Sequence, residues 1–546
     1  MTSYRSMLAL CLCVLLHLPP SACFALPQLR QLAEANKSVK HNVNLQNVRG
    51  GSANHEELVS LKASNGGSVN ADATPPPQPT LKDLYKFALP CLGLWISGPL
   101  LSLVDTASVG LTAKPGMGAF ELGALGPATT FIDGSTYLFA FLNTATTNLY
   151  ASSLARNAGD EKRSKLASDA VVRTAAKISL FCGFGIMSLL FWKGKFLLSL
   201  YVGAEAAKNV LEPATKYVLI RALSMPTALL AGVVQSALLG AKDSVTPLIA
   251  VAASTIVNII GDSGLVVGLK MGSTGAAIAT LFAQWAGTIA MFRPAIKKLL
   301  VKSTQEEKEE HKVTSKSFLA FAAPVLTLVL GKIAAFGMMT HVAASLPAET
   351  AGSAALASHQ IVLSLFFFVS PFLEVISQTA QTFLPQYYVE DTPAFKSEAQ
   401  ALATRLLRLG ICVGGGIALV AASIPMFFPF ILTNDAIIRS SVKPLALPLF
   451  LASLLTAPVA VSEGILLARR ELKFLASVYT LSTIAFPFGL FKLKTSGGPV
   501  SNVWYGFVLF QLFRGIFFTS KLWGRQLINN VVEMLGMKKK EAGAIA

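Results

Sequence analysis

Apolar windows of about twenty residues, the length that crosses a bilayer as a helix, recur along this chain with short polar breaks between them. They fall near 84–104, 121–143, 171–192, 217–239, 246–269, 272–292, 318–342, 353–373, 405–431, 443–467, 474–491 and 500–522. Inside each window the apolar residues run continuously. Alternation, the mark of a lumen-facing and lipid-facing β-barrel strand, is absent from them. The pattern predicts an all-α polytopic membrane protein with twelve transmembrane helices.

The windows form two sets of six. "FALP" (Phe87–Pro90) opens the first set and "FAAP" (Phe321–Pro324) the second. "LGALGPATTFIDGSTYLFAFL" runs parallel to "SAALASHQIVLSLFFFVSPFL", with Phe141-Leu142 on Phe372-Leu373, and "VVQSALLGAKD" runs parallel to "AVSEGILLARRE", with Gln235 opposite Glu463. Six spans per half make both repeats enter from the same face. This is a parallel repeat about the membrane normal, giving two six-helix lobes whose interface is the expected cargo site. The expected boundaries are an N-lobe at 81–292, a charged interlobe loop at 293–316, a C-lobe at 317–525 and a tail at 526–546.

The first 80 residues differ in kind. Arg5, the apolar run Met7 to Leu18 and the small-residue site Ser21-Ala22-Cys23 read as a secretory signal peptide over 1–23. Residues 24–80 are polar, lack any apolar period and end in a proline-rich hinge, so a disordered, transit-peptide-like segment is expected. The junction "SACFALP" resembles the ASAFAP motif of presequences for complex plastids of secondary origin, with Phe24 as its matching residue. It implies a plastid envelope. The alternative is a secretory-pathway or plasma membrane.

Composition agrees with the windows: 53% of residues are hydrophobic, 14% are charged and the mean hydropathy is +0.56. The net charge of +17 is not gathered into a nucleic-acid footprint. It sits in the even-numbered loops, at Arg156, Lys162, Arg163, Lys165, Arg293 to Lys316, Arg469 and Arg470. The positive-inside rule places those loops and both termini on the cytoplasm-like face. Cys11, Cys13 and Cys23 lie in the leader, and Cys91, Cys182 and Cys412 lie singly in spans, which indicates neither disulfides nor a zinc site. Six scattered histidines offer no catalytic cluster, so an enzyme is not expected.

Charges at membrane depth cost about 2.5–3.5 kcal/mol on insertion scales, so each is a candidate functional residue. Asp105 closes the first span, fifteen residues after Pro90, which can bend that helix. Asn258 and Asp262 lie i, i+4 on one face of the fifth span, and Thr280 lies in the small-residue stretch "GAAIAT" of the sixth. Two carboxylates with amide and hydroxyl oxygens would suit a proton or a sodium ion. Spacing alone leaves open whether these groups converge or whether Asp105 and Asp262 sit at membrane edges. Further candidates for a substrate cavity are Tyr217, Arg221, Gln235, Lys332, His359, Glu374 and Glu463. Arg221 could snorkel or neutralise Asp262, Lys332 could pair with Glu374 or Glu463, and Asp133 is expected to break the second span.

Taken together, "PLLSLVDTASVG", "ELGALGPATT", "YVLIRALSMPTALLAGVVQSALLGAKDSVTPL", "NIIGD" and "GSTGAAIAT" resemble the multidrug and toxic compound extrusion (MATE) family, DinF-like branch, and its plant chloroplast-envelope members. The resemblance covers about residues 80 to 525. It implies a monomeric secondary antiporter that exports a small organic solute, a phenolic or other organic anion or a xenobiotic, by alternating access of two lobes. It needs no cofactor beyond the coupling ion, H+ or Na+. The resemblance assigns that ion, including a possible Na+ site, to Asp105, Asn258, Asp262 and Thr280, helix bending to Pro90, and a cavity position to Tyr217. The repeat-mates of Asp105, Asn258 and Asp262 are Met339, Phe486 and Leu490, so one cation site is expected rather than two. The rival reading is a lipid-linked oligosaccharide flippase of the same superfamily.

Overall fold

The computed structural model describes residues 74–112, 118–202, 204–346, 352–433, 435–496 and 498–534. The signal peptide, most of the transit-like segment and the chain beyond 534 lie outside the described residues, as does the side chain of Asp105. The first half comprises α1 (Leu81–Thr112), α2 (Gly118–Tyr137), α3 (Ala140–Arg156), α4 (Glu161–Val202), α5 (Ala204–Ala222), α6 (Met225–Gly240), α7 (Val245–Gly261), a π-helix (Asp262–Gly268) and α8 (Gly272–Leu299). A short α9 (Gln305–Glu310) follows. The second half comprises α10 (Ser315–Ala344), α11 (Gly352–Phe383), α12 (Pro393–Phe427), α13 (Ala436–Val442), α14 (Ala446–Ala468), α15 (Leu472–Ser496) and α16 (Ser501–Met534).

All twelve apolar windows fall on helices. Among the described residues nine helices are individually long and apolar enough to cross a membrane, and α5 with α6 makes a tenth span bent by 52°. Pro226 explains that bend. It lacks an N–H and its ring would clash with the carbonyl of Ala222 four residues earlier, so α5 stops there and α6 restarts with proline in its first turn. The second span is also broken, but at Leu138 and Phe139. Asp133, expected to break it, lies inside α2.

The repeat holds at single residues. At the end of α6, Lys242 N–H donates to Leu239 O (2.9 Å) and Asp243 N–H to Leu238 O (2.9 Å). At the end of α14, their repeat-mates Arg470 and Glu471 donate to Leu467 O and Leu466 O (both 3.0 Å). This is the Schellman pattern, which needs a left-handed residue after the helix. Lys242 (φ 63°) and Arg470 (φ 59°) supply it in place of glycine.

The lobes meet in a seam near the Lys/Arg-rich face. Gln378 Nε2 donates to Thr147 Oγ1 (3.5 Å), a contact between repeat-mates across the pseudo-twofold axis. Asn148 Nδ2 donates to Gln381 Oε1 (2.8 Å), Thr382 Oγ1 to Leu239 O (3.2 Å) and Lys242 Nζ to Gln386 Oε1 (2.8 Å). Residues 74–80 join this seam and correct the expectation of disorder through residue 80. Tyr387 Oη donates to Pro77 O (3.0 Å), Arg405 Nη1 to Pro79 O (2.8 Å) and Gln78 Nε2 to Glu398 Oε2 (2.7 Å). Four prolines at 75, 76, 77 and 79 fix φ in advance, which lowers the entropic cost of ordering so short a strap. The charged stretch 293–316 is likewise partly helical, because α8 continues to Leu299, and α16 runs into the expected tail, to Met534.

Candidate functional site

Among the described residues, two polar regions hold most of the candidate residues. The first lies where α7 gives way to the π-helix. Gly261 lets α7 and α8 touch, since a Cβ there would lie 2.8 Å from Ala279 Cβ and 3.1 Å from its Cα. The ladder then widens from i→i+4 to i→i+5, a change that recurs at functional sites. Asp262 is the first residue of the widened turn.

Asn258, Asp262 and Thr280 are all buried there, at 0%, 1% and 5% exposure. Asn258 Nδ2 donates to Thr280 Oγ1 (3.4 Å), and Thr280 Oγ1 donates to Ala276 O (2.8 Å). Asn258 Oδ1 is buried without a hydrogen-bond partner among the described residues. An unmatched buried acceptor costs about 1–3 kcal/mol, and a cation would supply the missing partner. The donor set is carboxylate, amide and hydroxyl oxygen, which suits a proton or a hard cation. The helix carrying Asp105, α1, packs along α7 and the π-helix, and Pro90 lies within α1. Three of the four expected coupling residues are therefore together, and the fourth is on the adjoining helix with its side chain outside the described residues.

The matching region of the second half is apolar. Met339, Phe486 and Leu490 are buried at 0%, 8% and 1%, and the Phe486 ring lies 4.7 Å from that of Phe510.

The second polar region is a cavity of about 550 Å³ between the lobes, within the range of pockets that hold drug-sized ligands. Gln235, Lys332, Glu374 and Glu463 line it. Lys332 Nζ lies 3.0 Å from Glu463 Oε1 and 3.5 Å from Glu374 Oε1, so the expected ion pair forms with both acids. Tyr479 Oη also donates to Glu463 Oε2. Phe336, Phe366, Phe367, Phe507 and Phe510 line the C-lobe side, and amides such as Asn143 and Gln284 line the N-lobe side.

Tyr217, Arg221 and His359 are not in the cavity wall, contrary to expectation. Arg221 Nη1 donates to Tyr217 Oη (3.0 Å), and its Nη2 lies 3.4 Å from Asp133 Oδ1. Asp133 is the member of this group that faces the cavity. Arg221 thus does not snorkel: it is buried, with its guanidinium on Tyr217 and Asp133. His359 is fully buried, with Nε2 3.1 Å from Thr340 Oγ1 and its ring 5.9 Å from Trp504. All three are buried, so the helix faces that carry them turn into the lobes.

Sequence reasoning missed Arg514, Gln511 and Tyr479. Arg514 stacks over Phe510 (4.2 Å to the centroid) and Tyr479 (4.9 Å), and its guanidinium donates to Gln511 Oε1. A charge in the middle of the last apolar window was the available signal.

The family model MatE matches residues 94–263, the segment that carries α2 to α7 and Asp262. Protein DETOXIFICATION 47, chloroplastic, of Arabidopsis thaliana is 33% identical over 438 residues, covering 79% of this chain and 76% of the relative. The chain belongs to the MATE family. DNA damage-inducible protein F of Escherichia coli (strain K12) is 30% identical over 314 residues, covering 56% of this chain and 63% of that protein. The fold matches that of an outward-facing multidrug resistance MATE family transporter of the MOP superfamily (TM-score 0.67, 17% identity, 82% of this chain and 96% of the other). It also matches a MOP superfamily transporter from Pyrococcus furiosus (TM-score 0.68, 17% identity, 82% and 96%). This MATE protein is a multi-pass membrane transporter of small molecules with the two-lobed MATE fold, and not an enzyme.

Proposed function

We propose that this MATE protein is a secondary antiporter that exports a small organic solute in exchange for protons or sodium, coupled through Asp105, Asn258, Asp262 and Thr280. The observation that carries the reading is the buried trio of Asn258 on α7, Asp262 on the π-helix and Thr280 on α8, set against an apolar counterpart at Met339, Phe486 and Leu490. A charge kept in one half and dispensed with in the other is not required by the fold. In this reading the two carboxylates, Asp105 and Asp262, act as one site that a single proton or cation neutralises. Neutralisation lets α1 bend at Pro90 and releases solute from the cavity. The seam closed on the basic face supports reading this state as open to the opposite side. The chloroplastic relative supports a plastid envelope, within which the leader points to a complex plastid.

In proteoliposomes with an imposed pH or sodium gradient, Asp262→Asn and Asp105→Asn are expected to abolish gradient-driven flux across a panel of aromatic acids and organic cations. Both variants should keep the wild-type unfolding temperature. Undiminished flux in both would refute the coupling site.

A further inference from the structure

A second hollow, of about 150 Å³, lies between α1 of the first lobe and α11 and α12 of the second. Its walls are almost wholly apolar: Leu81, Tyr85 and Leu89 from α1, Ile376 from α11, Leu406 and Val413 from α12. Tyr85 and Leu89 are 51% and 63% exposed, so the hollow is a groove open to the surrounding membrane. Along α1 it runs from Leu81 to Leu92, about 17 Å at the helical rise, comparable with a lipid acyl chain.

Cations gather where the groove meets the Lys/Arg-rich face. Lys82 and Lys86 are exposed on the first turns of α1, and Arg408 is exposed beside the half-buried Arg405 on α12. The hydrogen bond from Arg405 to Pro79 O brings these two pairs to the same foot of the molecule. Two acids are nearby. Asp83 accepts hydrogen bonds from Thr80 N–H (3.0 Å) and Thr80 Oγ1 (2.6 Å), and Glu398 accepts from Gln78. The four cations outnumber the two acids, and no ion pair joins any of them to a carboxylate among the described residues.

We propose that this groove holds one acyl chain of an anionic membrane phospholipid, with its phosphate against Lys82, Lys86, Arg405 and Arg408. Basic clusters at helix clefts on this face attract anionic headgroups, and the apolar groove places the ligand in the bilayer rather than in solution. The walls come from both lobes, so the groove changes shape when the lobes rock. The inference concerns binding to the outer surface and does not depend on the coupling site.

The test is native mass spectrometry on the delipidated full chain with phosphatidylglycerol or phosphatidylcholine of identical acyl chains, and glycerol phosphate as the soluble headgroup. Phosphatidylglycerol should be retained well above the other two. The triple variant Lys82→Ala, Lys86→Ala, Arg408→Ala should bind it about a hundredfold more weakly. Ala88→Phe, which fills the groove, should also lose it, with thermal unfolding confirming that each variant is folded. Equal retention of the two lipids, binding of glycerol phosphate alone, or undiminished phosphatidylglycerol binding in either variant overturns the proposal.

Discussion

At the scale of single residues, the cavity is governed by how its charges are committed. Lys332 holds Glu463 and Glu374. Losing one partner of such a partly buried pair leaves an uncompensated charge, whereas losing both sides is far milder. Lys332→Met is therefore expected to lower the unfolding temperature in detergent, and adding Glu463→Gln should recover most of the loss. A double variant no more stable than the single one would show that the pair is not the source. Lys332, Glu374 and Glu463 were legible in the sequence because an ionisable side chain inside an apolar window stands out. What was not legible was direction. Tyr217, Arg221 and His359 sit in equally apolar windows but point into the lobes, because facing depends on helix rotation set by neighbours. Asp133 was misread for the same reason: its charge suggested a break, while its partner Arg221 lies 88 residues away.

At the scale of elements, helix contacts depend on where backbone can approach backbone. Gly464 on α14 lies against α11, where an added Cβ would meet Ser377 O and Oγ at 2.6 Å. Its repeat-mate Ser236 on α6 accepts a hydrogen bond from Thr147 through its carbonyl (3.0 Å), so both halves use this crossing. Because backbone cannot swing aside, Gly464→Ala is expected to destabilise the protein by about 1–3 kcal/mol. Gly416→Ala on α12, with nothing within 4 Å, should cause no loss. Similar thermal unfolding of the two variants would contradict this packing. The twelve elements were readable because window length is set by the bilayer. The bend at Pro226 has a local chemical cause and could have been placed. The break at Leu138 and Phe139 has none in its own residues, and the π-turn after Gly261 reflects packing of α7 on α8 rather than any motif.

At the scale of the whole molecule, the repeat makes the seam a moving part. The alignment that paired Phe141 with Phe372 also pairs Thr147 with Gln378, and these meet across the axis. The interlobe contact was thus implicit in the internal repeat, while the strap at 74–80 was hidden by a composition that reads as disorder. With native cysteines replaced, Lys242→Cys with Gln386→Cys should cross-link through a short thiol reagent, since the native side chains lie 2.8 Å apart. Cross-linking should stop transport, and cleaving the linker should restore it. Full transport while linked would mean that the seam need not open.

The most direct test of the proposed antiport is reciprocal. Proteoliposomes carrying internal pH- and sodium-sensitive dyes receive, on one side only, a solute found by the uptake panel, with no ion gradient imposed. The wild-type protein is expected to move protons or sodium in the opposite direction to the solute, and Asp262→Asn is expected to move neither. Solute movement without ion counterflow in the wild type, or equal counterflow in Asp262→Asn, would contradict coupling through the π-helix site.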